Sequence, residues 1–256
     1  MRLLLLALLL TMHAAQAANI AVVGNASAPP KISLEQQQPS GILVDILDYA
    51  SRQMPDQHFD LKLYPWARAY QMASTGQAGI IGLSRNDVRA TLFDFSKPIY
   101  EDEIIIVVRR GYAFPYHTIS DFKGRTIGMV LGGSFGQDFE QGIEDGAFSV
   151  DEDNRPDVRL RKLLAGRIDA ALINPGRGAL AKVLEMDPEL LKHADDFEVL
   201  PVPFKRDPNY LGFPKSMGMT DTLKTFDAVI EKGYRNGDIP RIIQRYESLP
   251  TLTSPP

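Results

Sequence analysis

An α/β fold with a mostly parallel sheet covered by helices is the class this sequence predicts. Short apolar, β-branched runs alternate with segments whose apolar residues fall at helical spacing, and that order begins a second time after Gly111. The chain has 256 residues. That is enough for one large domain or for two lobes, each with its own core.

Asn19 to Val23 is an apolar run read as a strand, and the turn-rich segment Gly24 to Pro30 as the loop after it. Ile42, Leu43, Ile46, Leu47 and Ala50 repeat at helical spacing and predict a helix over Gly41 to Gln53. Phe59 to Tyr64 alternates like a strand, Trp66 to Thr75 reads as a helix ended by Gly76, and Gly79 to Leu83 is a strand again. Ile104 to Val108 is a β-branched run that stops at Arg109-Arg110-Gly111. The second series follows: strand Arg125 to Val130, turn Gly132-Gly133-Ser134, helix Phe135 to Gly142, helix Val158 to Ala165 closed by Gly166, strand Ile168 to Ile173 and helix Ala179 to Met186. Phe197 to Val202 is read as a strand that returns the chain to its first half, and Thr220 to Tyr246 as two helices parted near Gly237.

The first seventeen residues place Arg2 before an apolar core, Leu3 to Leu10, and end in Ala15-Gln16-Ala17. This is the pattern of a cleaved secretory signal peptide, and its apolar run is far short of the roughly 20 residues that span a bilayer. The chain has no cysteine, so it has neither a disulfide nor the lipid-bearing cysteine of a lipoprotein. A free periplasmic protein is expected, without membrane insertion and monomeric. The formal charge is -4 with both signs dispersed, which points away from nucleic acid and anionic membrane as partners.

Chemistry-bearing motifs are few. His58, His117 and His193 stand apart without metal-ligand spacing, and there is no Gly-x-Ser-x-Gly nucleophile elbow, so no catalytic residue, metal or cofactor is assigned. Acidic clusters at Asp94, Glu101-Asp102-Glu103, Asp151-Glu152-Asp153 and Asp195-Asp196 read as solvated surface.

One stretch stands out. Gly82 to Tyr100 joins Ser84 at a strand end, Arg89 five residues on, and Phe93-Asp94-Phe95-Ser96-Lys97-Pro98-Ile99-Tyr100. A guanidinium matches a carboxylate bidentately, a serine hydroxyl can donate to the same anion, and strand ends are where open α/β sheets bind ligands. The alternative is a surface ion pair of Arg89 with Asp87 or Asp94.

This stretch resembles the ligand-binding segment of the bacterial family 3 periplasmic solute-binding proteins, the polar amino-acid receptors of ABC importers. Further similarity lies in Gly124-Arg125-Thr126-Ile127-Gly128, Gly166-Arg167-Ile168-Asp169-Ala170 and Asn236-Gly237-Asp238, in the family's order. Pro65-Trp66-Ala67-Arg68-Ala69 looks like the signature of one branch. The resemblance covers nearly the whole mature chain and implies the two-lobed periplasmic binding protein fold (type II). Lobe 1 would be 18–107 plus 203–256 and lobe 2 would be 112–197, with hinges near 107–112 and 197–203. It implies capture of a small carboxylate-bearing solute, an amino acid or related organic acid, for an importer permease. The alternatives are a cyclohexadienyl dehydratase-like enzyme on the same fold and a ligand-loaded partner of a membrane sensor.

Carried over by position, Arg89 and Ser84 would hold the carboxylate, and the backbone near Leu83 the ligand's other polar end. Gly133, Ser134 and Phe135 would complete an anion site with amides at the start of a helix. Where amino-acid receptors of this family place an acid for the α-ammonium, this chain has Asn174, and an amide does not neutralise a cation in a closed cleft. Asp169 is the fallback should the alignment slip. Trp66 is either a wall over the ligand or core. Arg68 is read as facing solvent or a lobe carboxylate, and Asn25 and Ser27 as rim contacts.

Overall fold

In the computed structural model of the protein, residues 18–247 are described; the expected signal peptide lies outside them. The chain opens with β1 (Ala18–Asn25). Three short strands follow, β2 (Ser27–Ala28), β3 (Ile32–Glu35) and β4 (Gln38–Ser40), which make a small antiparallel sheet partly inside the segment read as a loop. Their lengths are below what alternation can reveal. α1 (Ile42–Gln53) forms as its spacing requires, with Ile42, Leu43, Ile46, Leu47 and Ala50 all buried. β5 (Gln57–Tyr64), α2 (Trp66–Ser74) and β6 (Gly79–Ser84) complete the first β/α series. Then come α3 (Asp87–Leu92), β7 (Phe93–Phe95) and the long strand β8 (Tyr100–Arg109).

The second series is β9 (Thr126–Val130), α4 (Gln137–Glu144), β10 (Ser149–Asp153), α5 (Pro156–Leu164), β11 (Ala170–Ile173), α6 (Gly176–Met186), α7 (Pro188–Leu191) and β12 (Phe197–Val199). β13 (Lys205–Pro214), α8 (Thr220–Arg235) and α9 (Asp238–Glu247) end the described chain.

The main sheet runs β10-β9-β11-β8-β13-β6-β1-β5, with β12 also on β8 and β7 on β13. Pairs within each β/α series are parallel, and those made by β8 and β13 are antiparallel. β8 changes partners along its length. Tyr100 to Ile104 pair with β13, whereas Ile105 to Val107 pair with β11 and Val107 to Arg109 with β12. The return passes beside it, since Leu200 N donates to Ile106 O and Phe204 N to Ile104 O. These two adjacent stretches run from one half of the sheet to the other.

The returning strand corrects the sequence reading. Phe197 to Val199 stays with the second half, and β13 carries the chain back. β13 escaped notice because it begins Lys205-Arg206-Asp207-Pro208-Asn209, although Asp207 and Asn209 are buried. Two acidic clusters also depart from a solvated surface. Asp102 is 1% exposed and paired with Lys31, and Asp153 is buried against Arg159.

Each lobe has apolar layers on both sheet faces. In the first, α1, α8 and α9 cover one face through Leu47, Phe226 and Ile239, and α2 covers the other through Trp66, Ala69 and Ala73. In the second, Phe122 is fully buried amid the rings of Phe114, Tyr116, Phe139, Phe148 and Phe204, at centroid distances of 5.0 to 6.2 Å. On its opposite face α5 and α6 bury Leu160, Leu163, Leu180 and Leu184.

The Arg159 guanidinium donates to Asp153 Oδ1 at 2.7 Å and to Leu172 O at 2.8 Å beneath this layer. Removing the anion strands a buried cation. Asp153→Ala is expected to lower unfolding stability by about 3–5 kcal/mol. Asp151→Ala, which removes a partly exposed partner of Lys162, should change it by about 1 kcal/mol or less. Urea denaturation of both variants checks the contrast.

Candidate functional site

Arg89 reaches its position through local chain chemistry. β6 ends at Ser84, and Asn86 caps the short helix α3 by accepting the Arg89 amide at 2.7 Å. The Arg89 side chain therefore turns back toward the strand end, where Nη1 donates to Ser84 O at 3.0 Å. Its guanidinium lies 5.0 Å from the Tyr70 ring centre and 5.8 Å from that of Trp66. The residue is only 3% exposed, yet it forms no ion pair with any described carboxylate, neither Asp87 nor Asp94 included. Burial pulls the guanidinium below its ordinary pKa, and Tyr70, then Asp207 and Glu140, offset part of that effect. It remains a cation at any physiological pH. Buried charges are ordinarily paired, so Arg89 is an exception among the described residues.

Arg89 opens onto a cleft shared by the two lobes, about 50 Å³ in volume. The space holds a few waters, so anything larger needs the lobes to part. From the first lobe Asn25, Lys31, Ile32, Trp66, Gly82 and Ser84 line it, and from the second Val130, Gly133, Ser134, Phe135 and Asn174. Of the sequence-predicted contacts, Leu83 and the rim residue Ser27 are outside the lining. The Leu83 side chain is buried with Trp66 and Phe93, and a break in alternation at Gly82 puts Ile81 and Ser84, three residues apart, on the cleft side together. Gly82 is the extra residue of a bulge, where β13 passes from Leu83 to Ile81 between Tyr210 and Leu211. Its φ of +79° suits glycine, and a Cβ there would stand 3.1 Å from Leu43.

Ser84 is committed within the chain. Its hydroxyl donates to Asp207 on β13, which also pairs with Lys205 at 3.0 Å. Asp207 lines the cleft and was missed with its strand; the polar alternation Lys205, Asp207, Asn209 is the signal that could have found it.

The second-lobe loop differs from its expected role. The Phe135 amide donates to Glu140 Oε1 at 3.3 Å and the Gly133 amide to Val130 O at 3.0 Å, so both are spent inside the loop. Glu140, from the first turns of α4, takes the place an anion would have had there, and it also accepts the Ser134 hydroxyl at 2.6 Å. What the loop offers instead is contact between lobes. Trp66 Nε1 donates to Gly132 O at 3.0 Å, and Asn86 Nδ2 to Ser134 Oγ at 2.8 Å. Trp66 is thus both core and cleft wall, 7% exposed and stacked on Tyr70.

Asn174 stands at the end of β11 and donates through Nδ2 to Asp102 Oδ2 at 3.2 Å. The same oxygen receives the Lys31 ammonium. Lys31, in the approach to β3, was not read as a site residue; a lone lysine in a polar loop carries no signal of burial. Asp169 serves elsewhere, accepting the Thr126 amide at 2.7 Å. Arg68 is exposed over the Tyr64 ring, and Ser27 donates its amide to Asn25 Oδ1 at 3.0 Å.

The two-lobed architecture and the cleft set the context for comparison with known proteins. The sequence matches the bacterial extracellular solute-binding proteins, family 3, over residues 20–248. The chain belongs to this family. Among curated proteins no relative matches it by sequence. Solved structures share the fold of this family 3 chain. An ancestral arginine-binding protein bound to arginine has a TM-score of 0.74 at 19% identity, over 89% of this chain and 97% of that one. A histidine kinase sensor domain with similarity to periplasmic binding proteins also scores 0.74, at 18% identity, covering 91% and 97%. The arginine-, lysine-, histidine-binding protein ArtJ from Geobacillus stearothermophilus scores 0.70 at 21% identity, covering 90% and 95%. Among the described residues no helix is long and apolar enough to cross a membrane.

The indole bond between the lobes can be removed without losing the ring. Trp66→Phe should weaken the closed arrangement by about 0.5–1.5 kcal/mol. Small-angle scattering is expected to show a larger radius of gyration for this variant, and an unchanged radius would show that the bond does not hold the lobes.

Proposed function

We propose that this family 3 protein captures a small carboxylate-bearing solute between its lobes and delivers it to the permease of an ABC importer. One observation carries the reading: a buried guanidinium, Arg89, lies at the cleft wall without a carboxylate partner. The solute's carboxylate takes that vacant partnership, with the Ser84 end of β6 and the aromatic wall of Trp66 fixing its orientation. The lobes, hinged at the partner switch of β8 and at the 200–204 stretch beside it, close because the liganded state gains contacts from both sides.

Family membership supports a solute-binding role, and the export pattern of the first seventeen residues supports delivery from the periplasm. The role is binding without turnover.

Trp66 is the sole tryptophan of the sequence and lines the cleft, so its emission reports occupancy directly. Amino acids, dicarboxylates and aromatic acids are to be screened by thermal shift and Trp66 emission, on the wild type and on Arg89→Ala. At least one carboxylate is expected to stabilise the wild type, and its affinity should fall about 100-fold or more in the variant. Full affinity in Arg89→Ala would refute the assignment, and turnover of prephenate or arogenate would replace binding with catalysis.

A further inference from the structure

Capture of a carboxylate leaves open what else the solute carries, and the charges around the cleft answer that. Three charged side chains line it, Lys31, Arg89 and Asp207. The Lys31 ammonium bonds to the Asp102 carboxylate and, at 3.1 Å, to Asn209 Oδ1. The two side chains of that pair are 7% and 1% exposed, so it is closed to bulk water. Asp207 takes the Ser84 hydroxyl and pairs with Lys205. Glu140, behind the second-lobe loop, takes the Ser134 hydroxyl and the Phe135 amide. Asp102 and Asp207 thus each have a lysine of this chain as partner, Glu140 has neutral donors, and Arg89 forms no ion pair with any described carboxylate.

A cation without an ion-pair partner at the cleft wall suits one carboxylate. An ammonium brought in with the solute would find Asp102 already neutralised, and it would stand beside the Lys31 ammonium where water is scarce and like charges repel strongly. An uncharged oxygen would fare differently. Lysine carries three donors, and Asp102 and Asn209 take two of them, which leaves one for an acceptor in the cleft. The remaining wall is apolar, made by Ile32, Ile81, Ile104 and Val130 with the rings of Trp66 and Phe135.

We propose that Lys31 is the specificity-determining residue of this cleft. By occupying Asp102 it makes the site select an apolar monocarboxylate with an uncharged oxygen acceptor, a 2-oxo or 2-hydroxy acid, over the amino acid of the same skeleton. This rests on carboxylate capture by Arg89, and the test separates the two.

Calorimetry on the wild type compares matched sets: pyruvate, lactate and alanine; 2-oxoisovalerate, 2-hydroxyisovalerate and valine; phenylpyruvate, phenyllactate and phenylalanine. In at least one set the oxo or hydroxy acid is expected to bind about 30-fold or more tightly than the amino acid. Lys31→Gln, which frees Asp102, should shrink that preference to about threefold or reverse it, and Lys31→Arg should keep it. If Lys31→Gln does not fold, the wild-type comparison decides alone. An amino acid that binds as tightly as its oxo and hydroxy counterparts, with affinity still dependent on Arg89, would overturn the role of Lys31 only. No binding in any set, or binding indifferent to Arg89→Ala, would overturn carboxylate capture and this proposal with it.

Discussion

A guanidinium withdrawn from water without an anion beside it is unfavourable to folding, and the rest of this protein is arranged around keeping Arg89 in that condition. Burial costs a charged group its hydration, and a carboxylate at hydrogen-bonding distance would ordinarily offset the loss. Here the compensation is partial: one backbone carbonyl at Ser84, the rings of Trp66 and Tyr70, and the charges of Asp207 and Glu140 beyond ion-pair distance. The nearby acids are diverted. Asp207 is held by Ser84 and Lys205, and Glu140 by the loop ahead of α4. The nearby carboxylates are thus engaged by other groups of this chain, and none forms an ion pair with Arg89.

The place of Arg89 at the cleft follows from where the strands lead. β8 pairs with β13 in one lobe and with β11 and β12 in the other, so the cleft lies beside the strands that both lobes share. Asp102, Asp207 and Asn209 come from the β8 and β13 segments that pair with each other, while Lys31 and Asn174 come to them from separate lobes. A change of lobe angle therefore moves the Lys31 and Asn174 contacts relative to a common base. The two bonds of Trp66 and Asn86 across the mouth are neutral and modest in strength, suited to being broken and remade.

The longer helices and the apolar strands were legible in the sequence because each repeats a period over enough residues to show it, whereas the short α3 and α7 and the polar β10 do not. α1 declares itself in five apolar positions, and β1 and β8 in β-branched runs. β13 was not legible, since five polar or proline residues open it, and its buried Asp207 and Asn209 look like surface until their partners are known. At the site, Arg89 and Ser84 could be picked out because serine and arginine at that spacing are informative together. Lys31 and Asp102 could not: they lie 71 positions apart, and neither shows its burial before the fold brings them into contact. The amides of the Gly133 loop misled for a similar reason, because the carboxylate that takes the Phe135 amide arrives from Glu140, five residues on.

Equilibrium unfolding of Arg89→Met against the wild type, with no organic acid present, separates a guanidinium kept for a ligand from a structural ion. A cation kept unpaired for a ligand is a burden on the empty protein, so the account predicts that the methionine variant is as stable as the wild type within about 1 kcal/mol, or more stable. A loss of more than about 3 kcal/mol would mean that Arg89 is a structural ion already satisfied by the protein, and would contradict the account.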